Sequence, residues 1–152
     1  MGEELLFKNS LKIAVQLART ERFEDYYSGF RAYEKWIEEL GKYLASSKPG
    51  IFDMHEENLT IFNYLLDSRR AVPAYIGSMT GTKKMKRADS IMNNYKEEVR
   101  LLEDAQQNTL PSLDSKPQSW TEDIIKAQID ILTQVLRLEK EAIAMIEEEI
   151  SD

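Results

Sequence analysis

The C-terminal segment constrains the fold more than any other part of this sequence. From Thr121 almost to the end, apolar residues recur at helical spacing on two adjacent stripes. The first stripe consists of Ile125, Ile129, Leu132, Leu136, Glu139, Ile143, Ile146 and Ile150. The second consists of Ile124, Ile131, Val135, Leu138, Ala142 and Met145. A surface helix buries a single stripe, so this width predicts a central helix with neighbours on several sides.

Four further segments show the periodicity of amphipathic helices. Residues 3–20 form the first, and a second opens at Ser28 and Gly29 and ends in SSKPG at 46–50. A third should begin near Asp53 and close at Gly77 and Gly81, and a fourth ends near Gln107. The apolar residues of the fourth segment are Met85, Ala88, Met92, Tyr95, Val99 and Leu102. No strand-like alternation of useful length appears in the sequence.

The connector from Asn108 to Ser119 contains two prolines and three serines, and Ser119 with Glu122 predicts a capping box at the start of the last helix. At 152 residues the chain has the usual length of one domain. We therefore predict an all-α fold in which residues 1–152 form a single five-helix bundle with a central C-terminal helix.

Composition excludes several classes of function. The hydrophobic fraction of 42% is typical of a folded chain, and the formal net charge of −7 disfavours binding to a phosphate backbone. The absence of cysteine excludes disulfides, thiolate nucleophiles and Cys-based metal sites. No stretch reaches the roughly 18 apolar residues of a membrane span, and the N-terminus lacks a signal-peptide pattern. We expect a cytoplasmic protein without nucleic-acid or membrane partners.

Two charged residues interrupt the apolar stripes. Arg69 occupies a core position of the third helix, and Glu139 occupies one in the last. A lone buried charge is very costly, so we expect the two to pair. Pro73 cannot donate to the carbonyl of Arg69, which predicts a bend there and a small polar pocket facing Tyr33 or Tyr75. A purely structural salt bridge and a ligand site both remain open.

Other candidate sites are weaker. Aromatic residues gather between Tyr26 and Trp36, where they fit either the core or the rim of a cleft. His55 has acidic neighbours, but the spacing matches neither a di-iron nor a zinc motif. The sequence contains no nucleophile elbow and no phosphate-binding glycine loop. We predict no catalytic residues, no metal and no cofactor.

Several short motifs resemble a known family. GFRAYEKWIEEL at 29–40, SRRAVPAYI at 68–76, NYKEEVRLLEDA at 94–105, the Leu110-Pro111 pair and LEKEAIAMIEEEI at 138–150 follow one another in a similar order in another group of proteins. They resemble the helical region that follows a papain-like cysteine domain in proteins related to butirosin biosynthesis protein H. The resemblance implies an accessory or substrate-binding helical domain without catalysis of its own. The matching polar and aromatic positions are Tyr33, Trp36, Arg69, Tyr75 and Glu139.

The leading functional hypothesis is a non-catalytic helical domain that holds a small amphipathic or anionic molecule between the third and last helices, with Arg69 facing the anionic group. The alternative is a protein-interaction or dimerisation module, in which wide apolar faces pack against a partner domain or a second copy of the chain.

Overall fold

The computed structural model of this chain describes residues 2–46, 55–79, 85–116 and 119–151. Its elements are α1 (Gly2–Arg19), β1 (Arg22–Phe23), β2 (Tyr26–Tyr27), α2 (Gly29–Ala45), α3 (His55–Met79), α4 (Ala88–Asn108) and α5 (Glu122–Ser151). The predicted all-α fold with five helices is therefore confirmed for the described part of the chain. The expected start of the third helix near Asp53 lies outside the described residues, as does Gly81. The other expected end, Gly77, is wrong, because α3 continues through it to Met79.

The last helix is central, as its two apolar stripes predict. With 30 residues, α5 is about 45 Å long and packs against α4, α2 and α1, while α3 packs on α4. Two apolar clusters lie along α5. The first joins α2, α3, α4 and the first half of α5, and includes Phe62, Leu66, Leu102, Leu132 and Val135. The second joins α1 to the other ends of α3, α4 and α5, and includes Phe7, Ile76, Ile91, Ala142 and Ile146.

The start of α5 corrects one prediction. Ser119 precedes the first helical residue by three positions, so the expected capping box of Ser119 with Glu122 is wrong. The hydroxyl oxygen of Thr121 instead accepts a hydrogen bond from the N–H of Ile124, at 3.2 Å. Thr121 therefore caps the helix, because its side chain satisfies one of the free N–H groups of the first turn.

A two-residue antiparallel hairpin joins α1 to α2, in which Arg22 pairs with Tyr27 and Phe23 with Tyr26. Strands this short give no alternation that a sequence could reveal. The hairpin reverses the direction of the chain, and as a result Gly29, at the start of α2, lies against the backbone at the end of α1. Gly29 has a φ of 56°, and a Cβ built there would lie 2.1 Å from the carbonyl oxygen of Ala18.

Gly29→Ala should therefore destabilise the protein by about 2 kcal/mol, because the new methyl group meets backbone and a side chain disfavours this φ. Urea unfolding followed by circular dichroism measures the loss. Gly41→Ala is the matched control on the same helix, since a Cβ at Gly41 meets nothing within 4 Å and alanine favours the helix. An equal effect of the two substitutions would contradict the close contact between α1 and α2.

None of the helices in the described ranges combines the length and the apolar character that crossing a bilayer requires.

Candidate functional site

The two charged residues that interrupt the apolar stripes meet inside the bundle. The Nε of Arg69 donates a hydrogen bond to Oε1 of Glu139, which confirms the predicted pairing. The hydroxyl of Tyr33 donates to the same carboxylate oxygen at 3.4 Å, and Nη2 of Arg69 donates to the Tyr33 oxygen at 3.2 Å. Tyr33 and Glu139 are buried, whereas the Arg69 side chain keeps 24% of its surface exposed. Arg69 therefore connects a buried carboxylate with the surface.

A second acid, Glu98 of α4, belongs to the same cluster and was not anticipated. Its side chain is fully buried, and one carboxyl oxygen lies 3.9 Å from Nε of Arg69. Neither oxygen accepts a hydrogen bond from any residue that the structure describes. The sequence did hold a signal, because Ile91, Tyr95, Glu98, Leu102 and Ala105 are spaced four and three residues apart. The stripe predicted for this helix contained Val99 instead, one position away from Glu98.

The electrostatics of this cluster follow from burial and from two acids sharing one cation. Burial, followed by the charge of Glu139 and a hydrogen bond shared with it, raises the pKa of Glu98 to about 10, although Arg69 opposes the rise. Burial also raises the pKa of Tyr33 and of Tyr95. Glu98 is therefore a neutral acid at neutral pH, which avoids burying a second carboxylate charge beside Glu139.

For Arg69, burial lowers the pKa, but the neighbouring Tyr33 and Glu139 outweigh it and the net pKa is raised. The guanidinium stays charged at any pH of interest. The cluster thus holds one cation and one carboxylate in direct contact, with a neutral acid beside them.

This cluster, which we call the polar layer (Tyr33, Arg69, Tyr95, Glu98 and Glu139), divides the apolar core. On α3, α4 and α5, the residues on one side of the layer belong to the first apolar cluster and those on the other side to the second. The layer therefore lies at one level across the bundle. We expect these buried polar groups to fix the axial register of the helices that carry them.

A groove opens above the polar layer, between α2 and α3, with a volume of about 600 Å³. Backbone contacts between these two helices are sparse, which leaves room at the surface. The described residues that line the groove are Tyr27, Gly29, Ala32, Tyr33, Lys35, Trp36, Ile61, Tyr64, Leu65, Ser68 and Arg69. Two of them are cations and none is an acid.

A smaller cavity of about 180 Å³ adjoins the groove along the same pair of helices. Its described lining residues are Lys35, Trp36, Glu39, Leu40, Tyr43, Asn58 and Ile61. Lys35, Trp36 and Ile61 line both spaces and so stand at their junction.

The indole of Trp36 is held in a fixed orientation. Its Nε1 donates to Oδ1 of Asn58 at 2.7 Å. Asn58 donates in turn to Oε1 of Gln128, and Nε2 of Gln128 donates back to Oδ1 of Asn58, both at 2.8 Å. Asn58 and Gln128 are buried. The edge of the indole also contacts the ring of Phe62, with the centroids 6.4 Å apart.

The structure brings together four of the five predicted site residues. Tyr33, Trp36 and Arg69 line the groove, and Glu139 lies beneath it in the polar layer. Tyr75 lies elsewhere: its hydroxyl is 2.8 Å from Oγ of Ser10, and its ring packs on Phe7 of α1. The physical reason is helical phase, because six residues rotate Tyr75 by about 240° from Arg69 around α3.

The position of the open space also differs from the expectation. The sequence predicted a pocket between the third and last helices, where Arg69 pairs with Glu139. The groove lies between α2 and α3 instead. Pro73 lies within α3, which continues through it to Met79. The expected bend at Arg69 stays a prediction.

His55, which had invited a metal interpretation, is buried against Trp120, two residues before α5. Its Nδ1 accepts a hydrogen bond from Nε1 of Trp120 at 2.5 Å, and the two rings pack edge to face. Asp53, one of the acids considered with it, lies outside the described residues. In the described part of the chain, no group of three or more His, Cys, Asp or Glu side chains is arranged to hold a metal ion.

No family model matches this sequence, and comparisons with curated proteins and with solved structures give no match.

Proposed function

We propose that this chain is a non-catalytic helical binding domain that holds a small amphipathic anion in the groove between α2 and α3. The observation that carries the proposal is the groove itself: about 600 Å³, mostly apolar, with Lys35 and Arg69 in its described lining and no carboxylate. This volume lies within the usual range of ligand sites, which are largely apolar with a few placed polar groups.

The charges of the lining determine which ligands fit. The chain as a whole carries a net charge of −7, so a described lining with two cations and no acid is unusual for its surface. Lys35 does have acidic partners, since its Nζ lies 3.0 Å from Glu39 and 3.8 Å from Glu38. These are exposed pairs, which contribute little in water. An anionic group in the groove would thus compete with them at small cost.

Arg69 is prepared to receive such a group. Its Nε is occupied by Glu139, its Nη1 donates to Oγ of Ser68 at 3.1 Å, and its Nη2 donates to Tyr33. Each η nitrogen carries two hydrogens, so one N–H on each is left for an oxygen atom of a ligand. The buried Glu139 fixes the plane of the guanidinium, and a fixed donor loses little entropy on binding.

The walls of the groove supply the apolar contact. Tyr64 is 70% exposed and Ile61 is 50% exposed, both on the outer side of α3. Trp36 and Tyr27 face them from α2 and the hairpin. Aromatic and branched side chains exposed along a groove favour a ligand with an apolar body.

Binding of 1-anilinonaphthalene-8-sulfonate tests the proposal, with N-phenyl-1-naphthylamine as the neutral analogue of the same ring system. We expect the sulfonate to bind about tenfold more tightly, because hydrogen bonds from a charged group contribute roughly 1.5–3 kcal/mol. Fluorescence titration measures both affinities. Equal affinities, or preference for the neutral dye, would contradict the anionic part of the proposal.

Two tryptophan substitutions locate the site. Ala32→Trp fills the groove and should abolish binding of both dyes, whereas Ala74→Trp adds the same side chain at an exposed position of α3 outside the groove and should leave binding unchanged. Undiminished binding by Ala32→Trp would show that the dyes bind elsewhere.

The second candidate function, protein interaction, has one observation in its favour. Leu6, Ile13 and Leu17 are exposed on one side of α1, away from its buried residues Phe7 and Leu11. A partner domain or a second copy of the chain could cover this face. The two candidates use different surfaces, so Ile13→Ser separates them. Loss of dye binding in Ile13→Ser, with binding retained in Ala32→Trp, would favour the interaction face of α1.

A further inference from the structure

The groove and the adjoining cavity lie end to end along α2 and α3 and share Lys35, Trp36 and Ile61 as lining residues. The groove extends toward Gly29 and Ser68, and the smaller cavity extends toward Leu40 and Tyr43. Trp36 and Ile61 line both and stand between them. A ligand that lies along the seam between the helices must therefore end at Trp36 or pass it.

The indole of Trp36 is not free to move aside. Its N–H is bound by Asn58, and Asn58 is engaged with Gln128 through two hydrogen bonds. Rotation of Trp36 would break its bond to Asn58 and leave a buried amide with fewer partners. Loss of a buried hydrogen bond is unfavourable, so the indole acts as a fixed wall at the end of the groove.

Charge distinguishes the groove from the smaller cavity. Arg69 lines only the groove, whereas Glu39 lines only the smaller cavity, and Lys35, which lines both, pairs with Glu39 at 3.0 Å. The groove end therefore carries the excess positive charge and attracts an anionic group, while Lys35 and Glu39 offset each other in the smaller cavity. The remaining walls of the smaller cavity include the side chains of Leu40, Tyr43 and Ile61, which suit an apolar chain. A ligand would therefore place its charged end at Arg69 and its chain toward Trp36.

We infer that Trp36 sets the maximum ligand length, and that the ligand is an anion with an unbranched apolar chain running from Arg69 to the indole. Removal of the indole joins the groove to the smaller cavity, so that longer chains fit. This inference rests on the proposed function, because it names the class of ligand for the same groove.

Displacement of anilinonaphthalenesulfonate by butane-, hexane-, octane- and decanesulfonate tests the inference. In the wild-type protein, affinity should rise about fourfold per methylene until the chain reaches Trp36, and then level off. In Trp36→Ala, affinity should continue to rise for longer alkanesulfonates than in the wild-type protein. Trp36→Leu serves the same purpose with a smaller loss of packing, and circular dichroism verifies that each variant is folded.

Leu65→Ala is the matched control, because Leu65 lines the groove but not the smaller cavity. In this variant, affinity should level off at the same chain length as in the wild-type protein.

Terminally brominated alkanesulfonates give a second measurement in the wild-type protein, since bromine quenches the fluorescence of a nearby indole. Quenching should be strongest for the chain length at which affinity stops rising.

The outcomes separate this inference from the proposed function. If the dye binds in the groove but Trp36→Ala and Trp36→Leu level off at the same chain length as wild type, the role of Trp36 is refuted and the binding function stands. The same conclusion follows if the brominated chains bind without quenching. If neither the dye nor any alkanesulfonate binds, both proposals fail.

Discussion

Arg69→Ala is expected to lower the free energy of unfolding by about 3–5 kcal/mol, since removal of one partner leaves the other charge buried without compensation. The residue left behind is Glu139, whose Oε1 would retain only the long hydrogen bond of 3.4 Å from Tyr33. Glu139→Ala should have an effect of the same order, because it leaves the guanidinium of Arg69 beside a neutral acid. Urea unfolding at neutral pH measures both.

Arg70→Ala is the control for this prediction. Arg70 is the next residue of the same helix, 44% of its side chain is exposed, and it pairs with Asp67 at 3.2 Å and Glu103 at 3.0 Å. Exposed pairs contribute about 0–1 kcal/mol, so the control should change stability by no more than that. Similar effects of Arg69→Ala and Arg70→Ala would mean that the polar layer is not a buried ion pair.

Glu98→Gln is expected to stabilise the protein at neutral pH. The folded-state pKa of Glu98 is raised above its unfolded value of about 4.3, so the folded state holds a proton that the unfolded state releases above that pH. The contribution of Glu98 to stability is then fully present below about pH 4 and is lost by about 1.4 kcal/mol per pH unit up to the folded-state pKa. Glutamine cannot ionise and keeps a neutral polar group of similar size beside Glu139, so the gain at pH 7 should be about 4 kcal/mol.

Urea unfolding at pH 5, 7 and 9 measures this effect, and the advantage of Glu98→Gln should grow with pH. Glu97→Gln is the control on the adjacent residue. Its hydrogen bond from Arg100 lowers the pKa of Glu97 at an exposed position, so the substitution should cause a small loss of stability or none. A wild-type pH profile parallel to that of Glu98→Gln would contradict the burial of a neutral acid in the polar layer.

The pairing of Arg69 with Glu139 could be predicted because each charge interrupts an otherwise apolar stripe. Such an interruption is visible in one sequence, and the cost of an unpaired buried charge supplies the inference. The signal for Glu98 was weaker, since Glu98 interrupts an apolar stripe but stands beside Glu97 in a helix rich in acids. Its buried stripe differs from the predicted one by a single residue, and a shift of one position rotates a side chain by about 100°.

The groove could not be predicted from periodicity. Apolar stripes tell which face of a helix is buried, but they do not determine how far apart two helices stand. The space between α2 and α3 depends on the sizes of side chains contributed by both helices and on the polar layer beneath them. Tyr75 was assigned to the site because it lies near Arg69 in the sequence and belongs to the SRRAVPAYI motif of the resemblance, but helical rotation carries it to α1 instead.

The location of the bound anion tests the central claim most directly. In a two-dimensional NMR titration with anilinonaphthalenesulfonate, we predict that the largest shifts occur at the indole N–H of Trp36, the side chain of Arg69 and the methyl groups of Ile61 and Leu65. These groups all line the groove. Shifts confined to Leu6, Ile13 and Leu17 on the outer face of α1, with the groove resonances unchanged, would contradict the claim.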